Sequence, residues 1–218
     1  MSQASRLTGV GLTFHEAMVG AVGARLLSFE VSIRIPDLAR FFDDPEHGAE
    51  LTGTATSPDL GGTLSVRDGS FQLFAADAAS GFRQLRYSFH FTAGDGGTYF
   101  LYGHKDIHDD PGLDVVKDLA CLYTSVYRGE TDAAPLYGSG ELRFSLTDLP
   151  ALLASFRVQG ATDWTQDLAA RFAFTSFVWG QVRDEYLENE RGTLPRDRWC
   201  SGGAAEEPCF RAEVTPVC

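Results

Sequence analysis

The chain has 218 residues, of which 44% are hydrophobic and 12% aromatic, a composition typical of a folded globular protein with one sizeable core. Its 18 basic residues against 30 acidic ones give a formal net charge of -12, which repels phosphate backbones and anionic membrane surfaces, so we expect no nucleic-acid partner. No apolar run is long enough to span a bilayer, and no signal-peptide pattern follows Met1. We therefore expect a soluble, cytoplasmic protein without a membrane span.

The beginning of the chain predicts one strand and one short helix. Residues 9–23 are too rich in glycine for a stable helix and too mixed for a clean strand, so neither is predicted there. Residues 26–35 alternate apolar and polar side chains, the pattern of a half-buried antiparallel strand. Pro36 suits a first helical turn, and apolar residues at helical spacing follow up to Phe42, so a short helix should cover one end of the sheet.

From Ala49 onward, strand-like runs alternate with turn signals and no helix intervenes. The clearest hairpin signal is Gly94–Gly97, because glycine and aspartate supply the positive φ angles that tight connections need. The predicted strands in this part cover residues 51–56, 62–66, 71–75, 82–92, 98–103, 119–127 and 138–146. With the strand at 26–35, the sequence predicts a mainly β protein whose antiparallel meander closes into a roughly eight-stranded barrel, with an open sandwich as the alternative.

Two helices are predicted after the last strand. The first covers residues 149–158, with a capping signal before it and a glycine beyond its end. The second covers residues 162–187, with Thr162 as its cap. Its predicted apolar stripe consists of Trp164, Leu168, Phe172, Phe177, Val178 and Val182. The composition then shifts to glycine, proline and charged residues, so we predict a barrel domain with C-terminal helices over 1–187 and an irregular tail over 188–218.

Four cysteines occur, one in the barrel domain and three in the tail. Cys121 lies in an apolar run and is interpreted as a buried small hydrophobic residue. Cys200, Cys209 and Cys218 lack the close pairs and the histidine of a usual zinc site, so we expect no zinc there. A disulfide between Cys200 and Cys209 is one alternative, but in a reducing cytosol a loosely docked tail with free thiols is favoured.

The segment 99–110 is the strongest candidate for chemistry, because an apolar strand ends there in a cluster of ionisable side chains. His104, Lys105 and Asp109, together with Glu16, are our candidate catalytic residues, and we expect Lys105 and Asp109 at the barrel mouth. The alternative is a solvated turn, which contains the same residue types. Histidines four residues apart on an extended strand lie about 13 Å apart, so we expect no metal.

The central strands carry many aromatic side chains, which suggests an interior suited to an apolar ligand. We assign ligand contact to an aromatic set taken from three strands: Tyr87, Phe89, Phe91, Tyr102, Tyr123 and Tyr127. About eight strands leave room for one small ligand inside a barrel. The alternative, of equal weight, is a barrel filled by its own side chains.

Several short motifs together resemble one known family. They lie at residues 14–20, 43–47, 69–74, 85–87, 103–110 and 118–123, and the similarity continues through 171–186. This combination resembles an accessory β-rich domain found fused to cholesterol-oxidase-like flavoproteins of the GMC oxidoreductase family. The chain has no Gly-x-Gly-x-x-Gly motif opening a strand-helix unit, so we expect no flavin and no other cofactor. The resemblance transfers no catalytic residue.

Three functions remain open at this point. The first is a barrel that binds an apolar sterol-, isoprenoid- or polyene-like molecule, as an accessory to an oxidoreductase. The second is a cofactor-free cyclase or isomerase that acts on an apolar substrate in the barrel. The third is a scaffold that docks a separate flavin-dependent oxidoreductase through its helices.

Overall fold

The computed structural model describes residues 7–77, 83–107 and 120–188. The strands in these ranges are β1 (Gly11–Val22), β2 (Arg25–Ile35), β3 (Gly48–Ser57), β4 (Gly62–Ser65), β5 (Arg67–Ala76), β6 (Arg83–Thr92), β7 (Thr98–Ile107), β8 (Cys121–Tyr127), β9 (Leu136–Arg143) and β10 (Arg157–Gln159). The helices are α1 (Leu38–Asp43), α2 (Leu149–Ala154) and α3 (Trp164–Glu188), with short 3-10 turns at Pro58–Leu60 and Leu146–Asp148. The predicted tail beyond Glu188 lies outside the described residues.

Eight of these strands close an antiparallel barrel. They pair in the order β1-β2-β3-β5-β6-β7-β8-β9, and β9 returns to pair with the second half of β1. β4 pairs with β3, and β10 pairs with the first three residues of β1, so these two strands are additions to the closed ring. The predicted mainly β fold with a closed antiparallel meander is confirmed.

The closing pair of β1 and β9 depends on two glycines. A Cβ atom at Gly20 would overlap the carbonyl oxygen of Glu141, and one at Gly140 would overlap that of Ala21. The two backbones can approach closely here only because neither glycine has a side chain. The prediction of no strand over residues 9–23 was therefore wrong, since the glycine content that argued against a strand is what lets β1 close the barrel.

The barrel interior is packed with aromatic side chains. Ring centroids lie 5.6 Å apart between Phe29 and Phe89, and 4.9 Å apart between Phe71 and Tyr87. The large inward-facing aromatic residues, all of them buried, include Phe29, Phe71, Tyr87, Phe89, Phe91 and Tyr99. Such contacts are those of a close-packed core. They favour the alternative of a barrel filled by its own side chains.

Helix α1 closes one end of the barrel and is fixed by its N-cap. The Asp37 carboxylate accepts hydrogen bonds from the backbone N–H groups of Arg40 at 3.0 Å and Gly9 at 2.7 Å. These two bonds lower the pKa of Asp37. The cap therefore joins the start of the helix to the chain that leads into β1.

Helix α3 packs across the same end, through a face that includes Phe177 and Val178 of the predicted stripe but not its large residues nearer the start of the helix. Ala170, Ala173 and Phe174 are buried, and the Phe174 ring lies 6.0 Å from Phe14 and 6.2 Å from Phe41. Further along the helix, the Phe177 ring of the predicted stripe lies 5.9 Å from Phe41. Four large apolar side chains are instead exposed: Trp164, Leu168, Phe172 and Trp179.

The cap of α3 also differs from the prediction. Asp163, and not Thr162, accepts hydrogen bonds from the backbone N–H groups of Thr165 and Gln166, both at 2.9 Å. Two helices do follow β9, as predicted, although β10 lies between them.

Candidate functional site

Three polar side chains from different strands meet inside the barrel. Glu16 of β1, Tyr87 of β6 and Lys105 of β7 all lie on the inward faces of their strands. Lys105 Nζ donates to Glu16 Oε1 at 2.6 Å, and the Tyr87 hydroxyl donates to Glu16 Oε2 at 2.7 Å. β1 lies across the ring from β6 and β7, so these contacts span the interior. We call the three residues the cross-barrel cluster.

The cross-barrel cluster is an ion pair held almost entirely away from water. The side chains of Lys105 and Glu16 are 2% and 7% exposed. Taking two charges out of water costs several kcal/mol for each ion, and their mutual attraction repays this only with good geometry. Apolar residues of the same volume are often equally stable or more stable at such positions. Buried ionisable groups of this kind are therefore candidates for function.

The hydrogen-bonding capacity of the cluster is only partly used. Both carboxylate oxygens of Glu16 accept a hydrogen bond, but Lys105 has three N–H donors and, among the residues that the structure describes, donates to Glu16 alone. Its Nζ also lies 5.2 Å from the centre of the Tyr87 ring. Burial and, next, the adjacent Glu16 carboxylate raise the pKa of Tyr87 well above its usual value, so the phenol stays a neutral donor.

The barrel wall has a gap in its strand pairing next to Glu16. On one side β1 pairs with β10 as far as Thr13 and with β9 only from Val19 onward. Residues 14–18 have no described strand partner on that side. The backbone N–H of His15 instead donates to Ser155 Oγ at 2.9 Å. The chain from β9 through α2 to β10 therefore covers this part of the wall without extending the sheet.

A cleft of about 460 Å³ opens over this gap, within the size range of small-molecule sites. We call it the seam cleft. Its walls come from β1, β2, β3 and the segment around α2, and consist of His15, Glu16, Ala17, Glu30, Val31, Ser32, Gly53, Thr54, Phe144, Asp148, Ala151, Leu152 and Ser155. Among these lining residues, Ser32 Oγ and His15 Nδ1 lie 2.8 Å apart, within hydrogen-bond distance.

The structure brings together two of the four predicted catalytic residues. Glu16 and Lys105 form the ion pair, but Lys105 lies inside the barrel and not in a solvated turn or at its mouth. His104 is on the outer face, between the rings of Tyr102 and Tyr123, with its Nε2 atom 3.8 Å from the Asp106 carboxylate. This outward placement follows from strand alternation, because neighbouring residues point to opposite faces. Asp109 lies outside the described residues.

The predicted ligand-contact residues divide into two groups. Tyr87, Phe89 and Phe91 face the interior, as expected, and are buried. The other three, Tyr102, Tyr123 and Tyr127, lie on the outer face, so their assignment to the interior was wrong. In β8 the inward side chains are Leu122, Thr124 and Val126, each almost fully buried. A tyrosine on the outer face can keep its phenol hydroxyl in contact with water.

No pattern in the sequence predicts the seam cleft. His15 and Ser32 lie on neighbouring strands, and their pairing follows from the β1–β2 register. Ser155 comes from a segment 140 residues away along the chain. No periodicity indicates that contact, because it depends on where β9 ends and β10 begins along β1.

Comparisons with known proteins found no relative of this chain. No protein-family model, no curated protein and no solved structure matches the chain. Over residues 7–77, 83–107 and 120–188, no group of three or more His, Cys, Asp or Glu side chains could hold a metal ion. Within the same ranges, no helix is both long and apolar enough to cross a bilayer. The resemblance to the GMC-associated domain stays a prediction.

Proposed function

We propose that this protein binds an apolar small molecule of the sterol, isoprenoid or polyene kind in the seam cleft, with an oxygen atom of the molecule directed toward Lys105. The apolar body would lie against Ala17, Phe144 and Leu152 on the cleft walls. Glu16 belongs both to the cleft wall and to the cross-barrel cluster, and it connects the two parts of this site.

The buried ammonium of Lys105 carries the proposal. Buried donors in folded proteins are nearly always hydrogen-bonded, and an unused one has a cost. Lys105 donates to one acceptor among the described residues, so it retains donors for an incoming oxygen. A hydroxyl or carbonyl group on an otherwise apolar molecule would accept such a bond close to the gap beside Glu16.

The negative charge around the seam cleft limits the class of ligand that it could bind. Glu16, Glu30 and Asp148 line the cleft, and the whole chain carries a net charge of -12. A carboxylate ligand would be repelled by these groups, whereas a neutral alcohol or ketone would not. The packed interior supports the seam cleft, and not the centre of the barrel, as the proposed position of the ligand.

A matched pair of variants tests the binding site. Ala17→Phe fills the seam cleft, whereas Val19→Phe adds the same ring on the exposed face of β1, two residues along and away from the cleft walls. We expect Ala17→Phe to weaken binding of dehydroergosterol, a fluorescent sterol with a hydroxyl group, at least tenfold, and Val19→Phe to leave it unchanged. Mass spectrometry of apolar extracts of the purified proteins provides an independent measurement. Equal binding by the two variants, or none by the parent protein, would contradict the proposal.

The cofactor-free cyclase or isomerase is a second candidate, because the cluster places a proton acceptor beside a proton donor. The Glu16 carboxylate would take a proton from a bound substrate, and the Tyr87 hydroxyl would stabilise or protonate the oxygen on which charge develops. Incubation with an enone or an epoxide-bearing polyene, followed by chromatography, tests this. Glu16→Gln should abolish turnover while dehydroergosterol binding persists. Loss of both together would show a binding role alone.

The docking scaffold has one observation in its favour, the exposed apolar face of α3. Nothing in the described residues indicates the chemistry of a partner for that face. We therefore do not adopt docking of a flavin-dependent oxidoreductase as the function.

A further inference from the structure

The outer faces of β6, β7 and β8 carry a set of aromatic rings that the proposed function does not use. They include the three tyrosines whose predicted inward placement was wrong. Strand register puts Phe100 of β7 opposite His90 of β6 and Tyr127 of β8, and His104 of β7 opposite Tyr123 of β8. We call the whole set the aromatic outer face, and its members are His90, Phe100, Tyr102, His104, Tyr123 and Tyr127.

The rings of the aromatic outer face contact one another in similar orientations. The Phe100 centroid lies 5.0 Å from that of His90 and 6.3 Å from that of Tyr127, with interplanar angles of 35° and 29°. The His104 centroid lies 5.9 Å from that of Tyr102 and 5.7 Å from that of Tyr123, with angles of 35° and 37°. All these residues are partly exposed, and Tyr123 is the most exposed of them, at 37%. Because the ring planes are similar, a ligand that stacks on one ring lies nearly parallel to its neighbours as well.

A row of hydroxyl groups crosses the aromatic outer face. Strand register aligns Ser88 of β6, Tyr102 of β7, Ser125 of β8 and Ser139 of β9. Ser125 Oγ and Ser139 Oγ lie 3.1 Å apart, within hydrogen-bond distance. Because residues two positions apart on a strand share a face, this row lies between the two rows of aromatic rings. The face therefore places ring surfaces beside groups that donate and accept hydrogen bonds.

The charged groups beside this face already have partners of their own. Arg86 lies 3.2 Å from the Asp77 carboxylate, and Arg143 lies 3.3 Å from the Glu141 carboxylate. The Asp106 carboxylate accepts a hydrogen bond from a side-chain amide of β6 at 2.7 Å. A charged ligand therefore gains little here, and an anionic ligand is also repelled by the net charge of -12. The electrostatics of the face are complementary to a neutral ligand.

We propose that the aromatic outer face binds a neutral polysaccharide, whose sugar rings stack on the tyrosine rings while their hydroxyl groups bond to the serine row. A sugar ring has an apolar C–H face and a rim of hydroxyl groups, so it needs an aromatic surface and hydrogen-bonding partners side by side. Phe100 and His104 lie about 13 Å apart along β7, a length that more than one linked sugar ring would cover. This site is separate from the seam cleft, because β1 lies across the ring from β6 and β7. The inference therefore goes beyond the proposed binding function and does not depend on it.

Affinity electrophoresis of the full chain tests the inference directly. Native gels are cast with a neutral polysaccharide, namely mixed-linkage β-glucan, xyloglucan, galactomannan or arabinoxylan, or with the anionic polygalacturonate. Migration in each gel is compared with migration in a gel without polysaccharide. We expect at least one neutral polysaccharide to retard the protein. Retardation by none of them, or by polygalacturonate alone, would overturn the inference.

A matched pair of variants locates the binding surface. Tyr123→Ala removes the most exposed ring of the aromatic outer face, whereas Trp179→Ala removes a ring that is 71% exposed on α3. We expect Tyr123→Ala to weaken binding of the retarding polysaccharide about tenfold, through the loss of a stacking contact, and Trp179→Ala to leave it unchanged. Ser125→Val, which keeps a residue favoured in strands, should also weaken binding, and an unchanged Tm shows that each variant is folded. Parent-like binding by Tyr123→Ala, or equal losses in Tyr123→Ala and Trp179→Ala, would overturn the inference. Dehydroergosterol binding should be the same in all these variants as in the parent, so a failure here is distinguishable from a failure of the proposed function.

Discussion

Replacing Lys105 with methionine should destabilise the protein strongly, because it leaves the Glu16 carboxylate buried without its counter-charge. The side chains are of similar length, so little packing is lost. The Lys105–Glu16 pair is 2.6 Å long and nearly inaccessible to water. Breaking a buried pair on one side costs about 3–5 kcal/mol. For a domain of this size that corresponds to a fall in Tm of about 6–20 °C.

Urea unfolding provides the measurement, and the chain offers a matched control. The Arg34–Glu50 pair is 2.7 Å long but joins β2 to β3 on the outer face, with both side chains about half exposed. Arg34→Met should therefore cost at most about 1 kcal/mol. The denaturant dependence should stay the same in both variants, as expected when only stability changes. If Lys105→Met costs no more than Arg34→Met, the two charges are not buried together and the assignment of the cross-barrel cluster is refuted.

Three further predictions address the rest of the fold. Phe174→Ala should lower the free energy of unfolding by about 3–5 kcal/mol, because the ring packs in the core. Phe172→Ala, on the exposed face of α3, should change it by less than about 0.5 kcal/mol. Equal effects of the two variants would contradict the observed packing of the helix. The pKa of Tyr87 is raised in the folded state, so above about pH 10 the unfolded state loses the phenol proton first. The free energy of unfolding should therefore fall by about 1.4 kcal/mol per pH unit as the pH rises further. Tyr87→Phe should remove this pH dependence. Gly140→Ala should weaken the pairing of β1 with β9 and increase the hydrogen-exchange rates of the amides in these two strands more than in the other strands. An equal increase in all strands would show that the closure of the barrel does not depend on this glycine.

Periodicity predicted most of the barrel because its strands are amphipathic. In β2 and β6, apolar and polar residues alternate cleanly. Such a pattern predicts both that a strand forms and which of its faces points into the barrel. β1 was missed because its glycines are required for contact with β9, a strand more than 100 residues away, and no local pattern shows such a contact. The orientation of β8 was wrong because both of its faces carry bulky side chains. Which face of β8 is buried depends on its pairing with β7 and β9.

The candidate site was only partly predictable for a similar reason. Glu16 and Lys105 were both predicted as candidate catalytic residues, but their sequence separation of 89 residues conceals that they form a pair. Only the closed ring places β1 opposite β7. The seam cleft could not be predicted at all, because it exists where strand pairing is absent.

One triple variant separates a structural role of the cross-barrel cluster from a binding role. Glu16→Leu, Tyr87→Phe and Lys105→Met together remove every charge and polar group of the cluster at nearly constant volume. Such replacements of buried ion pairs are often neutral, or stabilising by about 1–4 kcal/mol. If the cluster serves to fix the arrangement of the barrel, the variant should lose its near-ultraviolet circular dichroism, the signal of uniquely packed aromatic rings. If it serves to hold a ligand oxygen, the variant should keep that signal, unfold at or above the parent Tm, and bind dehydroergosterol at least tenfold more weakly. We expect the second result, because the gap in strand pairing lies directly beside Glu16, and a purely structural ion pair gains nothing from an opening in the wall next to it.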